Sequence, residues 1–351
     1  MRRLLLYSIT LSIGLGLALS CPPGSSSPPP PPGPPPEGTF QRGFVLGLFR
    51  TDPAYYEART YVDELAELRE MGCDSVAILV RQFMARSTSV VVEPIPGQTV
   101  PDHRLVEVLR ECQRQGLRST LFPCVLLQEA EAKEWRGNIQ PESWESWFES
   151  YQEMLEHYAS LAAQEQVAQL CVGSELVSSE RFEEPWRALI ASVRERFRGE
   201  VFYAANWDHY QDIPFLDATD LAAVNAYNRL AQEPTEDLRA LTLAWEQIRG
   251  QLQAWSRRVG RPLLLTEVGY PSVDGCSVYP WDYTRKAPVD LLEQAACVEA
   301  FCSAWLQVPE LKGVYFYVWW GSGGPSDRGY TPWGKPAEAV IRRYLAAQPG
   351  R

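Results

Sequence analysis

Histidine is nearly missing from this chain of 351 residues, which holds only His103, His157 and His209. None stands in an H-E-x-x-H or another metal-ligand spacing, which argues against a zinc enzyme. No G-x-S-x-G elbow or glycine-rich phosphate loop is present and no Cys-His pair suggests itself, so serine, nucleotide and thiol chemistries lose their usual signs. Cations are also short: 33 Lys and Arg face 44 Asp and Glu, a formal net charge of −11. Without a basic cluster, nucleic acid and anionic membrane surfaces are poor partners. Eight cysteines are too few for a disulfide scaffold at this length. Cys73, Cys112, Cys124, Cys171, Cys297 and Cys302 mostly lie in apolar patterns and read as small buried residues, while Cys276 stands in a loop where one disulfide stays open. No cofactor is implied. After the N-terminus, no apolar run reaches the ~20 residues that a membrane span needs.

What the chain does have begins with Met1-Arg-Arg3 and the apolar run Leu4 to Ser20, the basic start, apolar middle and small-residue end of a secretory signal. Export is expected. Cys21, directly after Ala18-Leu-Ser20, resembles the lipidated cysteine of a bacterial lipoprotein signal, although Ala18 stands where such signals prefer Leu. Ordinary secretory cleavage nearby is the alternative. The following stretch, Cys21 to Pro36, is dominated by proline and reads as a polyproline II spacer. At ~3.1 Å per residue it would hold a domain roughly 40 to 50 Å from an anchor. Loss of Arg2 and Arg3 with the signal takes the net charge of residues 21–351 to −13. The expected organisation is a signal peptide over 1–20, a Pro-rich linker over 21–39 and one domain over 40–348.

From Gly43 onward short apolar runs alternate with amphipathic stretches, the pattern of βα units around a parallel sheet. The spacing predicts eight strands: 44–48, 75–80, 118–125, 169–173, 201–206, 221–225, 262–266 and 313–319. Helices are predicted over 54–71, 102–115, 142–164, 185–197, 235–259, 289–307 and 336–346, with only a short turn between strands five and six. Eight such units over about 300 residues fit a (β/α)8 TIM barrel. A doubly wound open sheet competes, but Gly47-Leu-Phe-Arg-Thr51 after the first strand carries no nucleotide fingerprint.

Two glutamates close apolar strands: Glu175 in Gln169-Leu-Cys-Val-Gly-Ser-Glu175 and Glu267 in Pro262-Leu-Leu-Leu-Thr-Glu267. An acid at such a strand's end lies on the face where barrels keep their chemistry. Glycoside cleavage needs two carboxyl groups, one protonated to assist the leaving oxygen and one ionised to attack or stabilise the anomeric carbon. Strands four and seven supply that pair.

This placement resembles clan A of the glycoside hydrolases. Val172-Gly-Ser-Glu-Leu176, Leu264-Leu-Thr-Glu-Val-Gly-Tyr-Pro271 and Arg328-Gly-Tyr-Thr-Pro-Trp-Gly-Lys-Pro-Ala337 resemble its family 113, the β-1,4-mannanase-like enzymes. The likeness spans about 43–344. It implies a retaining enzyme, with Glu267 as nucleophile and Glu175 as acid/base, acting on a β-linked polysaccharide or oligosaccharide, foremost β-1,4-mannan, as a monomer. Many clan members carry Asn before the acid/base, where it contacts the sugar 2-hydroxyl; here that position is Ser174. Tyr227, just beyond the sixth strand, matches the clan's tyrosine or histidine that hydrogen-bonds the nucleophile.

Other residues are expected around the site. Arg81, after the second strand, is a candidate cation to keep Glu267 ionised. Trp319 and Trp320 at the end of strand eight offer a flat ring to a sugar face, with one of the two open to a core role, and Asn206 and Trp207 after strand five are rim candidates. Loop aromatics Tyr210, Tyr279, Trp281, Tyr283, Tyr330 and Trp333 extend a cleft, whereas Trp144, Trp147, Trp186, Trp245, Trp255 and Trp305 read as helix-face residues. Another clan A specificity (glucan, galactan) and a catalytically silent polysaccharide-binding lipoprotein are the alternatives.

Overall fold

Eight parallel strands close on themselves in sequence order in the computed structural model, which describes residues 40–49, 53–131 and 133–347. They are β1 (Gln41–Gly47), β2 (Ser75–Met84), β3 (Arg118–Leu127), β4 (Gln169–Ser174), β5 (Glu200–Asn206), β6 (Leu221–Asn225), β7 (Leu263–Val268) and β8 (Leu311–Trp319). Each pairs in parallel with its neighbours and β8 returns to β1, so the expected (β/α)8 barrel is the fold. The expected signal peptide, Cys21 and the expected Pro-rich linker lie outside the described residues. No helix among the described residues is long and apolar enough to cross a membrane.

The strands are apolar along their middles because both of their faces are buried there. Alternate residues face opposite sides. On β2, Val76, Ile78 and Val80 pack outward under the helices, while Ala77 and Leu79 face the interior with Val45, Phe122, Cys124, Phe202 and Leu264. A polar layer closes the lower barrel: the Tyr315 hydroxyl lies 2.8 Å from Thr120 Oγ1 and 3.0 Å from Gln41 Oε1. There too Arg42 on β1 is paired with Asp74 just before β2, at 2.6 Å.

Helices α1 (Pro53–Glu57), α2 (Thr60–Met71), α3 (Asp102–Arg114), α4 (Trp144–Gln164), α5 (Glu183–Arg196), α6 (Leu238–Val259), α7 (Leu291–Ala304) and α8 (Pro336–Ala347) form the outer ring. Each buries a stripe, as α3 does with Leu105, Val108, Leu109 and Cys112. The single helix expected over 54–71 is two: Arg59 at φ 54° is left-handed, and one such residue ends the helical ladder without disturbing the apolar spacing. Trp147, Trp186, Trp245, Trp255 and Trp305 are buried in the ring, and the seven described cysteines are buried free thiols.

Above the barrel, the C-terminal tail phrase organises the loops after β7 and β8. The Lys335 side chain is fully buried, and its Nζ donates to Asp327 Oδ1 at 2.7 Å, Ser272 Oγ at 2.9 Å and the Gly329 carbonyl at 2.9 Å. Replacing Lys335 with Met takes the paired cation from Asp327, which keeps only the Gly329 amide on its Oδ1, and removes a donor from Ser272 Oγ and the Gly329 carbonyl. The expected cost is about 3 to 5 kcal/mol, read as a lower urea midpoint against wild type.

Candidate active site

Glu175 directly follows β4 and Glu267 is the penultimate residue of β7, so the barrel carries both to its C-terminal face. Glu175 has φ 54°, a left-handed conformation that costs a non-glycine residue roughly 1 to 2 kcal/mol. The turn is held by hydrogen bonds on both sides of the strained residue. Its amide donates to the Ala204 carbonyl at 2.9 Å, and the Leu176 amide donates to the Tyr203 hydroxyl at 2.8 Å. That hydroxyl donates onward to Glu180 Oε1 at 2.8 Å.

Both oxygens of Glu175 have donors. Asn225 Nδ2 reaches Oε1 at 2.9 Å, and Arg136 Nη2 reaches Oε2 at 2.5 Å. Glu267 Oε2 accepts from the Tyr227 hydroxyl at 2.6 Å. Asn225, the last residue of β6, laces the two sides together. Its Nδ2 also lies 3.2 Å from Ser174 Oγ, and its Oδ1 accepts from Thr266 Oγ1, beside Glu267, at 2.8 Å.

Burial is the main cause that pushes the Glu267 carboxyl up, to about 8; the nearby Glu175 charge adds to it, while the Tyr227 hydroxyl and the Arg136 charge oppose it. Burial likewise pushes Glu180 up to about 8. Like charges in one buried site oppose each other, so the Glu175 charge works against ionisation of Glu267. A pair with one proton can protonate a leaving atom with one member and attack with the other.

Three expectations need correction or refinement. Arg81 is not the cation beside Glu267: its Nη2 donates to the carbonyls of Phe49 at 2.9 Å and Gln98 at 2.7 Å, and its guanidinium lies over the Phe49 ring. That neighbourhood is the rim between β1 and β2. Arg136, from the loop after β3, occupies the role instead. Of the tryptophan pair, Trp319 is 3% exposed and packs against Phe44, leaving only Trp320, 43% exposed, at the rim. The cause is an irregular register, in which Phe44 pairs Phe316 but Leu46 pairs Trp319; the extra residue on β8 reverses the inside-outside alternation. Asn206 is spent locally, with its Nδ2 on Asp208 at 2.8 Å and its Oδ1 on the Trp207 amide at 3.0 Å.

Tyr317 on β8 faces the pair, its ring 6.0 Å from Tyr227 and 5.3 Å from Tyr330. Trp207 stacks on Trp281 at 4.9 Å and 20°, and Arg229 lies 5.2 Å over Tyr279, which gives the rim an aromatic patch between the β5 and β7 loops. Trp320 against Phe49 at 5.2 Å gives another. Arg136, Asn225 and Tyr317 were not singled out by sequence. Asn225 carried a usable sign, since a polar residue closing an apolar strand is the mark that picked out both glutamates. Arg136 sits in an irregular loop and carried none.

A closed parallel barrel that brings two buried glutamates together from the ends of its fourth and seventh strands is a glycoside hydrolase of clan A. Residues 47–334 match the family model described as Glycoside Hydrolase Family 113, and the chain belongs to that family. It is similar to the GH113 β-mannanase AaManA from Alicyclobacillus acidocaldarius, solved in complex with ManMIm, at 29% identity over 88% of this chain and 98% of that one, with a TM-score of 0.78. A solved GH113 β-1,4-mannanase shares 25% identity over 88% of this chain and 99% of its own, with a TM-score of 0.79. Another, solved as a complex, gives 24% identity and a TM-score of 0.80 over the same shares. Comparison with curated proteins gave no match.

Proposed function

We propose that this glycoside hydrolase is a retaining endo-acting β-1,4-mannanase, exported and tethered through a lipidated Cys21. The observation that carries the catalytic reading is the buried Glu175 and Glu267 pair with Arg136, Asn225 and Tyr227 on its oxygens. Support for mannan comes from the solved relatives, two of which are titled β-1,4-mannanase and one β-mannanase. Aromatic patches on separate sides of the rim suit a polymer longer than one sugar, because apolar sugar faces pack on such rings. The tether rests on the sequence alone: an apolar leader, a cysteine at its end and a proline spacer.

In the first step an oxygen of the Glu267 carboxylate attacks the anomeric carbon. The glycosidic bond breaks with its electron pair going to the leaving oxygen, which takes the proton of Glu175. In the second step the Glu175 carboxylate takes a proton from water, whose oxygen attacks the same carbon. The ester bond breaks and its electron pair returns to Glu267. The test is reducing-sugar release from β-mannan, glucomannan, β-glucan, xylan and galactan. Release from the two mannose-containing polymers with little from the rest is expected, and preference for another polymer overturns the mannan assignment while keeping the mechanism.

A further inference from the structure

A buried acid that the chemistry described above does not use stands one short turn beyond Glu175. The charges that act on Glu180 are those of Glu175 and Asp208, both negative, with no cation among them. Burial and like charge both make such a carboxyl group costly to the fold, so its place has to be explained by what it holds. Its side chain makes one hydrogen bond among the described residues, in which Oε1 accepts from the Tyr203 hydroxyl at 2.8 Å. Because the phenol proton goes to that oxygen, the phenol lone pairs are left for the Leu176 amide, which donates to them at 2.8 Å. Tyr203 has no room to turn away: it is buried, with its ring edge-on to Trp186 at 5.2 Å and to Phe215 at 5.3 Å. On the far side of Leu176, its carbonyl accepts from the Ser179 amide at 2.9 Å and the Ser179 hydroxyl at 2.7 Å, and Trp186 Nε1 donates to the Ser179 carbonyl at 3.1 Å. The two peptide groups of Glu175 are thus pinned separately, the first by its own amide on the Ala204 carbonyl and the second by the Leu176 amide on Tyr203. Between them lies the left-handed residue. We propose that Glu180 and Tyr203 are positioning residues for the proton donor: the relay from the Leu176 amide through the Tyr203 hydroxyl to Glu180 holds Glu175 in its left-handed turn, and that turn aims the Glu175 carboxyl at the leaving oxygen. A displacement of about 1 Å can cost a reacting group on the order of a hundredfold in rate. The nucleophile is outside the relay, since the groups acting on Glu267 are Glu175, Tyr227 and Arg136.

This rests on the role proposed for Glu175 as acid/base. The experiment compares kcat/KM, which reports the first step, on β-mannan and on a dinitrophenyl β-mannobioside for wild type, Tyr203→Phe, Glu180→Ala and Glu180→Gln. The polymer needs a proton on its leaving oxygen and the dinitrophenyl group does not. Tyr203→Phe and Glu180→Ala are therefore expected to lose about 10- to 100-fold on mannan and less than about threefold on the dinitrophenyl substrate. Glu180→Gln keeps an oxygen that accepts from the phenol and should restore most of the rate on mannan, and melting temperatures confirm folding. Equal losses on the two substrates, as a general structural role would give, overturn the proposal, and so does an unchanged rate on mannan. Should Tyr203→Phe and Glu180→Ala fail to fold, Glu180→Asp, whose shorter side chain draws the phenol away from the Leu176 amide, is read by the same criterion. Glu175→Ala measured beside them separates the two ways of failing: a split between the substrates in Glu175→Ala alone removes only the relay, whereas no split in Glu175→Ala removes the acid/base reading and the relay with it.

Discussion

Replacing Glu267 with alanine is expected to lower kcat by between about 10⁴- and 10⁶-fold, the range seen when a covalent nucleophile is removed from a catalytic set, with polymer binding kept. The variant should fold, because what it leaves behind is the Tyr227 hydroxyl without its acceptor, a loss of roughly 1 to 3 kcal/mol. Azide then identifies the role. In a cavity where the carboxylate stood, azide attacks an activated β-glycoside from the same side and yields the α-glycosyl azide, visible by NMR. A β-azide from this variant would assign Glu267 to the acid/base role instead.

Glu175→Ala should show a different dependence on the leaving group. On polymer, whose leaving oxygen needs a proton, the expected loss is about 10²- to 10⁴-fold. A dinitrophenyl glycoside leaves without that proton, so its first step should stay near the wild-type rate and the glycosyl-enzyme should accumulate, giving a burst before slow turnover. Azide should release the intermediate as the β-glycosyl azide. Equal losses on both substrates would mean that Glu175 supports the fold of the site and does not transfer a proton. The position of Glu175 makes this a pointed test. Its backbone is held in a left-handed turn by Ala204 and Tyr203, contacts that alanine keeps. The electrostatic change falls on Glu267, whose carboxyl loses a like charge and becomes easier to ionise. The acid limb of the pH profile should accordingly move down in Glu175→Ala.

The eight strands were legible because a strand buried on both faces has to be apolar along its length, and residues such as Val76 to Val80 satisfy two packing environments at once. Glu175 and Glu267 stood out for the complementary reason. A carboxyl group that ends such a strand has no packing reason to be there. Tyr227 was reachable from its place two residues beyond β6. The helix break at Arg59 was not, since the apolar spacing continues across it.

Composition, strand spacing and the placement of two acids thus determined by themselves that this chain forms a (β/α)8 barrel with a carboxyl pair on one face. Those features are local, or follow from burial that every copy of the pattern must satisfy. Tertiary structure alone decided which partners the acids take. Arg136 reaches Glu175 across 39 positions, and Asn225 across 50. Trp319 turns into the packing because one extra residue in β8 reverses an alternation that sequence counting would have continued. A proton's location depends on distances and burial of a few tenths of a nanometre, and only the closed barrel sets those.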